Sequence, residues 1–182
     1  APTQVVDIVV MDPYASANGF AIPLIRKPRM AVFPTAPNAD SVIGHYRAWG
    51  EDLITHEDAH LVHLLRPSRN PAVRWLMQPL LRMGPIPVKA PGWVVEGYAT
   101  VVEGRLTGQG RPNSDGRALL LRTLAAEGRL PAYEMLDDGG DWPGRGAMYL
   151  VGSGFLEWLE ERQGPGSLRD LWAALTARTH RD

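Results

Sequence analysis

The spacing of hydrophobic residues differs between the first part of the chain and the rest. Two short runs rich in β-branched and other apolar residues come first: residues 5–11 (VVDIVVM), which end at Asp12-Pro13, and residues 29–33 (RMAVF), which end at Pro34. Short apolar runs that are bounded by turn residues predict β-strands. Beyond residue 39 the apolar residues recur every three or four positions, and this spacing predicts amphipathic helices.

The helical pattern occupies most of the chain. Asp40 is a candidate N-cap for a first helix through Trp49, and Pro67 ends the second helix. Residues rich in proline or glycine at 67–71, 85–91 and 137–146 predict loops. The predicted helices cover about residues 40–49, 51–66, 73–83, 93–106, 114–128, 148–162 and 167–179.

The order of these elements predicts the fold class. Strands come first and helices follow, which favours an α+β fold over an alternating α/β fold. We expect a single domain over residues 1–182, with a small N-terminal β-sheet over about residues 4–35 and a mainly α-helical part over about residues 40–182. Residues 29–33 should form an edge strand of that sheet.

Composition and charge exclude several classes of function. The 182 residues are 45% hydrophobic and 21% charged, as in an ordinary globular protein. The net charge of −1 and the scattered basic residues give no electrostatic footprint for nucleic acid. No apolar run approaches the length of about 18 residues that a membrane span needs. The absence of cysteine excludes disulfides, thiolate metal sites and cysteine nucleophiles.

Residues 55–60 (THEDAH) carry the pattern with the most chemical content. On a helix, His56 and His60 lie one turn apart on the same face, where both imidazoles can reach one metal ion. Glu57 can then lie beside the metal-bound water and accept its proton as a general base. The alternative interpretation is a polar helix that carries two histidines by chance.

A catalytic zinc ion needs a third protein ligand. His63 lies too far along the same helix to share the ion with His56, so we interpret it as a packing or ligand-orienting residue. Glu96 is the better candidate, because it is an acid on an otherwise apolar helix face and metal coordination would remove the cost of its burial. Glu103, on the same helix, is either an acceptor that orients a ligand histidine or a solvated acid near the helix end.

Two motifs together resemble a known family. The HExxH motif at residues 56–60 and the WxxEGxA motif at residues 93–99 resemble those of the gluzincin metallopeptidases, the group that includes thermolysin and aminopeptidase N. The resemblance runs from about residue 28 to residue 175. It implies a zincin-type catalytic core that holds one zinc ion through His56, His60 and Glu96.

The resemblance also implies a catalytic tyrosine. In the aminopeptidase-N-like branch this tyrosine begins a helix with the pattern YxxG, and Tyr149 matches it in the segment YLVG at residues 149–152. Tyr149 would then donate a hydrogen bond to the oxyanion of the tetrahedral intermediate. The alternative is a tyrosine at the start of a helix that packs into the core.

The chain departs from the aminopeptidases in one motif. Their GxMEN sequence, whose glutamate holds the free amine of the substrate, is absent, and the strand over residues 29–33 offers no acid in its place. We therefore expect a zinc-dependent endopeptidase, with Glu57 as the general base and a peptide or protein as substrate. The edge strand would bind the extended substrate by strand addition.

A non-catalytic module is the alternative from another functional class. On the same gluzincin-like fold, the zinc site would be structural and the chain would serve protein–protein interaction. The overall resemblance is to compact domains of exported bacterial proteins, and it implies a periplasmic or secreted protein whose native chain has additional domains. The start Ala1-Pro2-Thr3 and the lack of cysteine suit an exported protein after signal cleavage, and the lack of cysteine suits a cytoplasmic one equally.

Overall fold

The computed structural model has a β-sheet near the start of the chain followed by helices, which confirms the predicted α+β class. It describes residues 5–12, 15–24, 27–38, 41, 46–77, 83–137 and 146–177. The strands are β1 (Asp7–Val10), β2 (Gly19–Ile22) and β3 (Arg29–Val32). The helices are α1 (Trp49–Leu64), α2 (Ile86–Lys89), α3 (Gly92–Thr107), α4 (Asp115–Ala126), α5 (Gly146–Gln163) and α6 (Ser167–Ala177), and shorter helical turns lie at Val73–Met77, Arg111–Asn113 and Tyr133–Met135.

β3 is the central strand of the sheet. It pairs in parallel with β1 and antiparallel with β2, in the order β1-β3-β2. The prediction that residues 29–33 form an edge strand is therefore wrong, and β2 is the edge on that side. The sequence pattern did not indicate β2, because its four residues include a glycine and an alanine, which are depleted in strands, and because Asn18 and Pro23 beside it are typical turn residues.

β3 also connects the sheet to the helical part. Met30 and Val32 are buried, and they pack in one cluster with Trp49 and Leu53 of α1. The indole N–H of Trp49 donates a hydrogen bond of 3.0 Å to the carbonyl of Phe33, just after β3. These contacts hold the first turns of α1 against the sheet.

α3 crosses α5 at very short range. A Cβ atom on Gly97 would lie only 2.7 Å from the carbonyl carbon of Gly152, and one on Gly152 would lie 2.8 Å from the carbonyl oxygen of Trp93. The two helix backbones can touch because both positions lack a side chain. These glycines belong to the WxxEG and YxxG motifs, so the crossing places Glu96 and Tyr149 on neighbouring helices of one site.

Several element boundaries differ from the prediction. The described residues 46–48 are not helical and α1 begins at Trp49, so a first helix through Trp49 is wrong at that end, and Asp40 and residues 42–45 lie outside the described residues. Residues 86–89 form the short helix α2 where a connector was expected. Of the predicted helix over residues 73–83, Val73–Met77 form a π-helical turn and residue 83 is not helical. Parts of three predicted elements lie outside the described residues. They are residues 78–82 of the helix over 73–83, residues 138–145 of the loop over 137–146, and residues 178–179 of the helix over 167–179.

None of the described helices combines the length with the apolar character that crossing a membrane requires.

Candidate metal centre

Two adjacent helices bring the three predicted metal ligands together. His56 and His60 are buried on α1, and Glu96 lies on the facing helix α3. Oε2 of Glu96 lies 3.2 Å from Nε2 of His56 and 3.1 Å from Nε2 of His60. The two Nε2 atoms lie 3.2 Å from each other. One oxygen and two nitrogens therefore converge on one point between α1 and α3.

These three atoms suit a bound cation. Nδ1 of His56 lies 2.7 Å from a carboxylate oxygen of Glu103, so Nδ1 carries a proton and donates it, which leaves Nε2 as the ring nitrogen that would bind a metal ion. Ligand atoms that surround one tetrahedral zinc ion at roughly 2.0–2.1 Å lie about 3.3 Å apart, which is close to the spacing here. The group of His56, His60 and Glu96 could therefore hold a metal ion.

The pKa values of the group show that it favours positive charge. Burial by itself lowers the pKa of His56, but the carboxylates of Glu103 and Glu96 outweigh burial and raise this pKa to about 9. Burial by itself raises the pKa of Glu96, but the two histidines outweigh burial and hold this pKa well below its usual range. A metal cation that displaces this proton supplies positive charge at the same point.

Glu57 lies beside the ligand group. It is buried, and it lines the same cavity of about 380 Å³ as the three ligands. Burial raises the pKa of Glu57 above its usual range. The start of β2 approaches it closely, since a Cβ atom on Gly19 would lie 3.1 Å from Oε1 of Glu57 and 2.7 Å from Cδ1 of Leu53. The small residue at position 19 thus allows the edge strand to border the site.

Tyr149 lines the cavity from the first turn of α5. Its ring centroid lies 6.0 Å from that of His56. Burial, and then the nearby carboxylate of Glu96, raise the pKa of the phenol to about 12, so the hydroxyl keeps its proton at neutral pH. Tyr149 therefore faces the ligand group and has a hydrogen to donate there.

A buried ion pair holds His56 from the side opposite the ligand group. Glu103 is 1% exposed and accepts hydrogen bonds from Nδ1 of His56, from Nη1 of Arg111 at 3.0 Å and from the backbone N–H of Arg111 at 3.2 Å. Burial by itself raises the pKa of Glu103, but Arg111 and His56 outweigh burial and hold this pKa below its usual range. Of the two interpretations of Glu103, the structure excludes the solvated acid and shows a buried carboxylate that accepts a hydrogen bond from Nδ1 of His56, a candidate ligand.

A second buried acid lies next to this ion pair. Asp52 is 2% exposed, and it accepts a hydrogen bond of 3.2 Å from the hydroxyl of Thr107. Burial, and then the charge of Glu103, raise the pKa of Asp52 to about 6. Gly110 has a φ of 78°, and a Cβ atom on it would lie 2.8 Å from Oδ1 of Asp52 and 2.9 Å from Oε1 of Glu103. Only glycine fits both the backbone angle and the space between the two acids.

Among the described residues, no such ion pair lies behind the ring of His60. Its Nδ1 is buried and has no hydrogen-bond partner among the residues that the structure describes. Its ring lies 5.4 Å from that of His63, which is itself stacked on Trp172 at 4.8 Å with an angle of 21° between the planes. Tyr98 contacts His63 edge-on at 5.1 Å. His63 is therefore a packing residue outside the ligand group.

Comparison of the chain with protein-family models, with curated proteins and with solved structures gives no match. The resemblance to gluzincins therefore still depends on the sequence motifs that suggested it. What the structure adds is that the residues of both motifs meet at one point between α1 and α3.

Sequence reasoning missed two residues of the site. Arg111 lies in the turn GRPN after α3, where no motif distinguishes it from a solvated arginine. Asp52 gave a usable signal, because it precedes His56 by one helical turn and therefore lies on the same face of α1 as the ligands. An acid one turn before His56 is a candidate neighbour of the group that orients this histidine.

Proposed function

We propose that this protein is a zinc-dependent peptidase of the gluzincin type. The observation that carries the proposal is the convergence of Nε2 of His56, Nε2 of His60 and Oε2 of Glu96 in a cavity that Glu57 and Tyr149 also line. Two imidazoles and one carboxylate form the donor set of many catalytic zinc sites, which leave the fourth position for water or substrate.

A bound zinc ion would supply a Lewis acid that polarises a carbonyl and activates water for attack on it. Glu57 would take the proton of the attacking water, since it lines the same cavity as the three candidate ligands. Its raised pKa suits this task, because a general base works best when its pKa approaches the working pH. The protonated Glu57 can then donate to the nitrogen of the departing amine.

Tyr149 donates a hydrogen bond to the carbonyl oxygen as negative charge develops on it. A phenol with a pKa of about 12 remains protonated across the whole neutral range, so it can act as a donor at every step. Preorganised donors of this kind stabilise an oxyanion without the reorganisation that water needs.

The substrate would bind along β2. This strand is one of the two edge strands of the described sheet, and Gly19, Phe20 and Ala21 line the cavity. An extended peptide can add to a free strand edge through main-chain hydrogen bonds. Neither β2 nor β3 contains an acid that would hold a free amine, which favours endopeptidase over aminopeptidase action.

The metal site is tested first, by elemental analysis of the wild-type protein, His60→Ala and Glu96→Ala purified side by side. We expect about one zinc ion per wild-type chain and loss of zinc in both variants, because each removes one of three ligands. Absence of zinc from the wild type, even after supplementation, would contradict the proposal.

The chemistry is tested with Glu57→Gln, assayed for hydrolysis of a peptide library. The variant should keep its zinc and lose at least about a hundredfold in kcat, since it lacks the general base. Asp58→Asn is the matched control, because Asp58 is the adjacent acid on α1 and is exposed. Full hydrolysis by Glu57→Gln would refute the mechanism, and a wild type that holds zinc without hydrolysing any peptide would favour a non-catalytic zinc module.

A further inference from the structure

We propose that Arg111 is a positioning residue of the metal centre, held by the ring of Tyr149 and in turn holding Glu103 against His56. This inference rests on the proposed metal site. It assigns a role to a residue outside both sequence motifs and links the tyrosine of α5 to a ligand on α1.

The first link is the contact between Arg111 and Glu103. The arginine uses a side-chain N–H and its own backbone N–H to bind the two carboxylate oxygens separately. A carboxylate that is held at both oxygens cannot rotate away from Nδ1 of His56. The orientation of His56 therefore depends on the position of Arg111.

The second link is the contact between Arg111 and Tyr149. The guanidinium carbon lies 4.5 Å from the centroid of the Tyr149 ring, within the range of a cation–π interaction. Nη1 also donates to the hydroxyl of Thr100 at 3.3 Å. The guanidinium is thus held by Glu103, by the hydroxyl of Thr100 and by the face of the Tyr149 ring, and 12% of the side chain is exposed.

The backbone of Arg111 is equally constrained. It begins the turn Arg111–Asn113, in which the side-chain amide of Asn113 donates to the carbonyls of Gly104 at 3.2 Å and Gln109 at 3.0 Å. Pro112 packs on α3 so closely that a Cβ atom on Gly104 would lie 2.6 Å from its ring. A turn that is fixed to α3 in this way supplies a rigid base for a long side chain.

The test is the affinity for zinc, measured by competition with a chromophoric chelator. Arg111→Met should bind zinc about tenfold more weakly, the lower end of the effect of removing partners that orient a ligand. Arg105→Met is the matched control, because Arg105 is half-exposed, pairs with Glu160 and is not among the residues that line the cavity. The visible spectrum of the cobalt-substituted protein should change in Arg111→Met and not in Arg105→Met, since these bands report ligand geometry.

A pair of tyrosine variants tests the second link without reference to activity. Tyr149→Phe keeps the ring below Arg111 and should keep the zinc affinity of the wild type. Tyr149→Ala removes the ring and should weaken zinc binding in the same direction as Arg111→Met. This pair also carries the test if Arg111→Met fails to fold.

The outcomes separate this inference from the proposed function. Unchanged zinc affinity and an unchanged cobalt spectrum in Arg111→Met would overturn the role of Arg111, and equal affinities of Tyr149→Phe and Tyr149→Ala would overturn the role of the ring. A wild type that binds zinc but hydrolyses no peptide would overturn the proposed function alone, because the zinc affinities would still decide on Arg111. A wild type that binds no zinc would overturn both.

Discussion

The two candidate ligand histidines, one turn apart on α1, are held by opposite kinds of chemistry. Behind His56 lies a polar network, in which Glu103 accepts from Nδ1 and is itself bound by Arg111. Behind His60 lies an aromatic stack, in which His63 contacts the ring of His60 and Trp172 contacts His63. The same helical spacing thus leads to one candidate ligand that is oriented by charge and one that is oriented by packing.

This difference predicts how substitutions behind His56 and behind His60 act on the protein. A hydrogen-bonded carboxylate fixes the ring orientation and raises the basicity of the histidine, so its loss should appear mainly in metal affinity. A buried aromatic stack contributes apolar contact area, so its loss should appear mainly in the free energy of unfolding. The two sides of the site can therefore be separated by measuring both quantities for each variant.

Trp172→Ala should have the largest effect on stability. Trp172 is fully buried, and truncation of a buried tryptophan leaves a cavity and costs about 3–5 kcal/mol. We expect this loss in the free energy of unfolding of chelator-treated protein in urea. Trp75→Ala is the control, because Trp75 is 79% exposed and its removal should change the stability by no more than about 0.5 kcal/mol.

The same variant also tests the contrast between the two sides. The folded fraction of Trp172→Ala should lose less zinc affinity than a variant in the polar network behind His56. If Trp172→Ala instead unfolds at the urea concentration of the wild type and loses most of its zinc affinity, the stack acts on the metal and the contrast is wrong.

Among substitutions that leave the three candidate ligands in place, Glu103→Gln should have the largest effect on zinc affinity. Glutamine has the same shape, but its amide group must turn a donor towards one of the donors on His56 or Arg111. We expect zinc affinity to fall by about 10–100-fold in a chelator competition assay. Glu160→Gln, which breaks the surface pair with Arg105, should leave the affinity unchanged. Equal affinities of Glu103→Gln and Glu160→Gln would show that the polar network does not support the metal.

The parts of this site that follow from local periodicity could be predicted from sequence. Helical spacing alone places His56 and His60 on one face of a helix. Glu96 could be chosen as the third candidate because it is an acid on an otherwise apolar helix face. The structure brings these three residues together as expected. The fold class was also predictable, because strands and helices occupy separate parts of the chain.

The parts that depend on tertiary contacts could not be predicted. Arg111 reaches the site through a long side chain from a turn, so no periodicity marks it. β2 has only four residues, and its place at the sheet edge depends on Gly19 fitting against Leu53 and Glu57. β3 is central because β2 pairs with its second side. Since β2 was not predicted, residues 29–33 were wrongly expected to form an edge strand.

The smallest expected effect is a difference in pH dependence between the two sides, with slopes of at most about 1.4 kcal/mol per pH unit for each histidine. In chelator-treated protein, burial lowers the pKa of His63 from its ordinary 6.5 to about 3. The unfolded chain then binds more protons than the folded one, so stability that is present above pH 6.5 is lost as the pH falls towards 3. The carboxylates of Glu103 and Glu96 outweigh burial and raise the pKa of His56 to about 9, so its contribution is present below pH 6.5 and is lost as the pH rises through 9.

Variants of each side isolate these two slopes in urea unfolding at a series of pH values. The difference in stability between wild type and His63→Phe should change between pH 6.5 and 4.5 and stay constant from pH 7 to 9. The contributions of all other titrating groups cancel in this difference, because both proteins contain them. The difference between wild type and Glu103→Gln should change between pH 6.5 and 9, since Glu103 is one of the carboxylates that raise the pKa of His56. If His63→Phe follows the wild-type curve at every pH, His63 titrates alike in the folded and unfolded chains, and the stack around it is open to water.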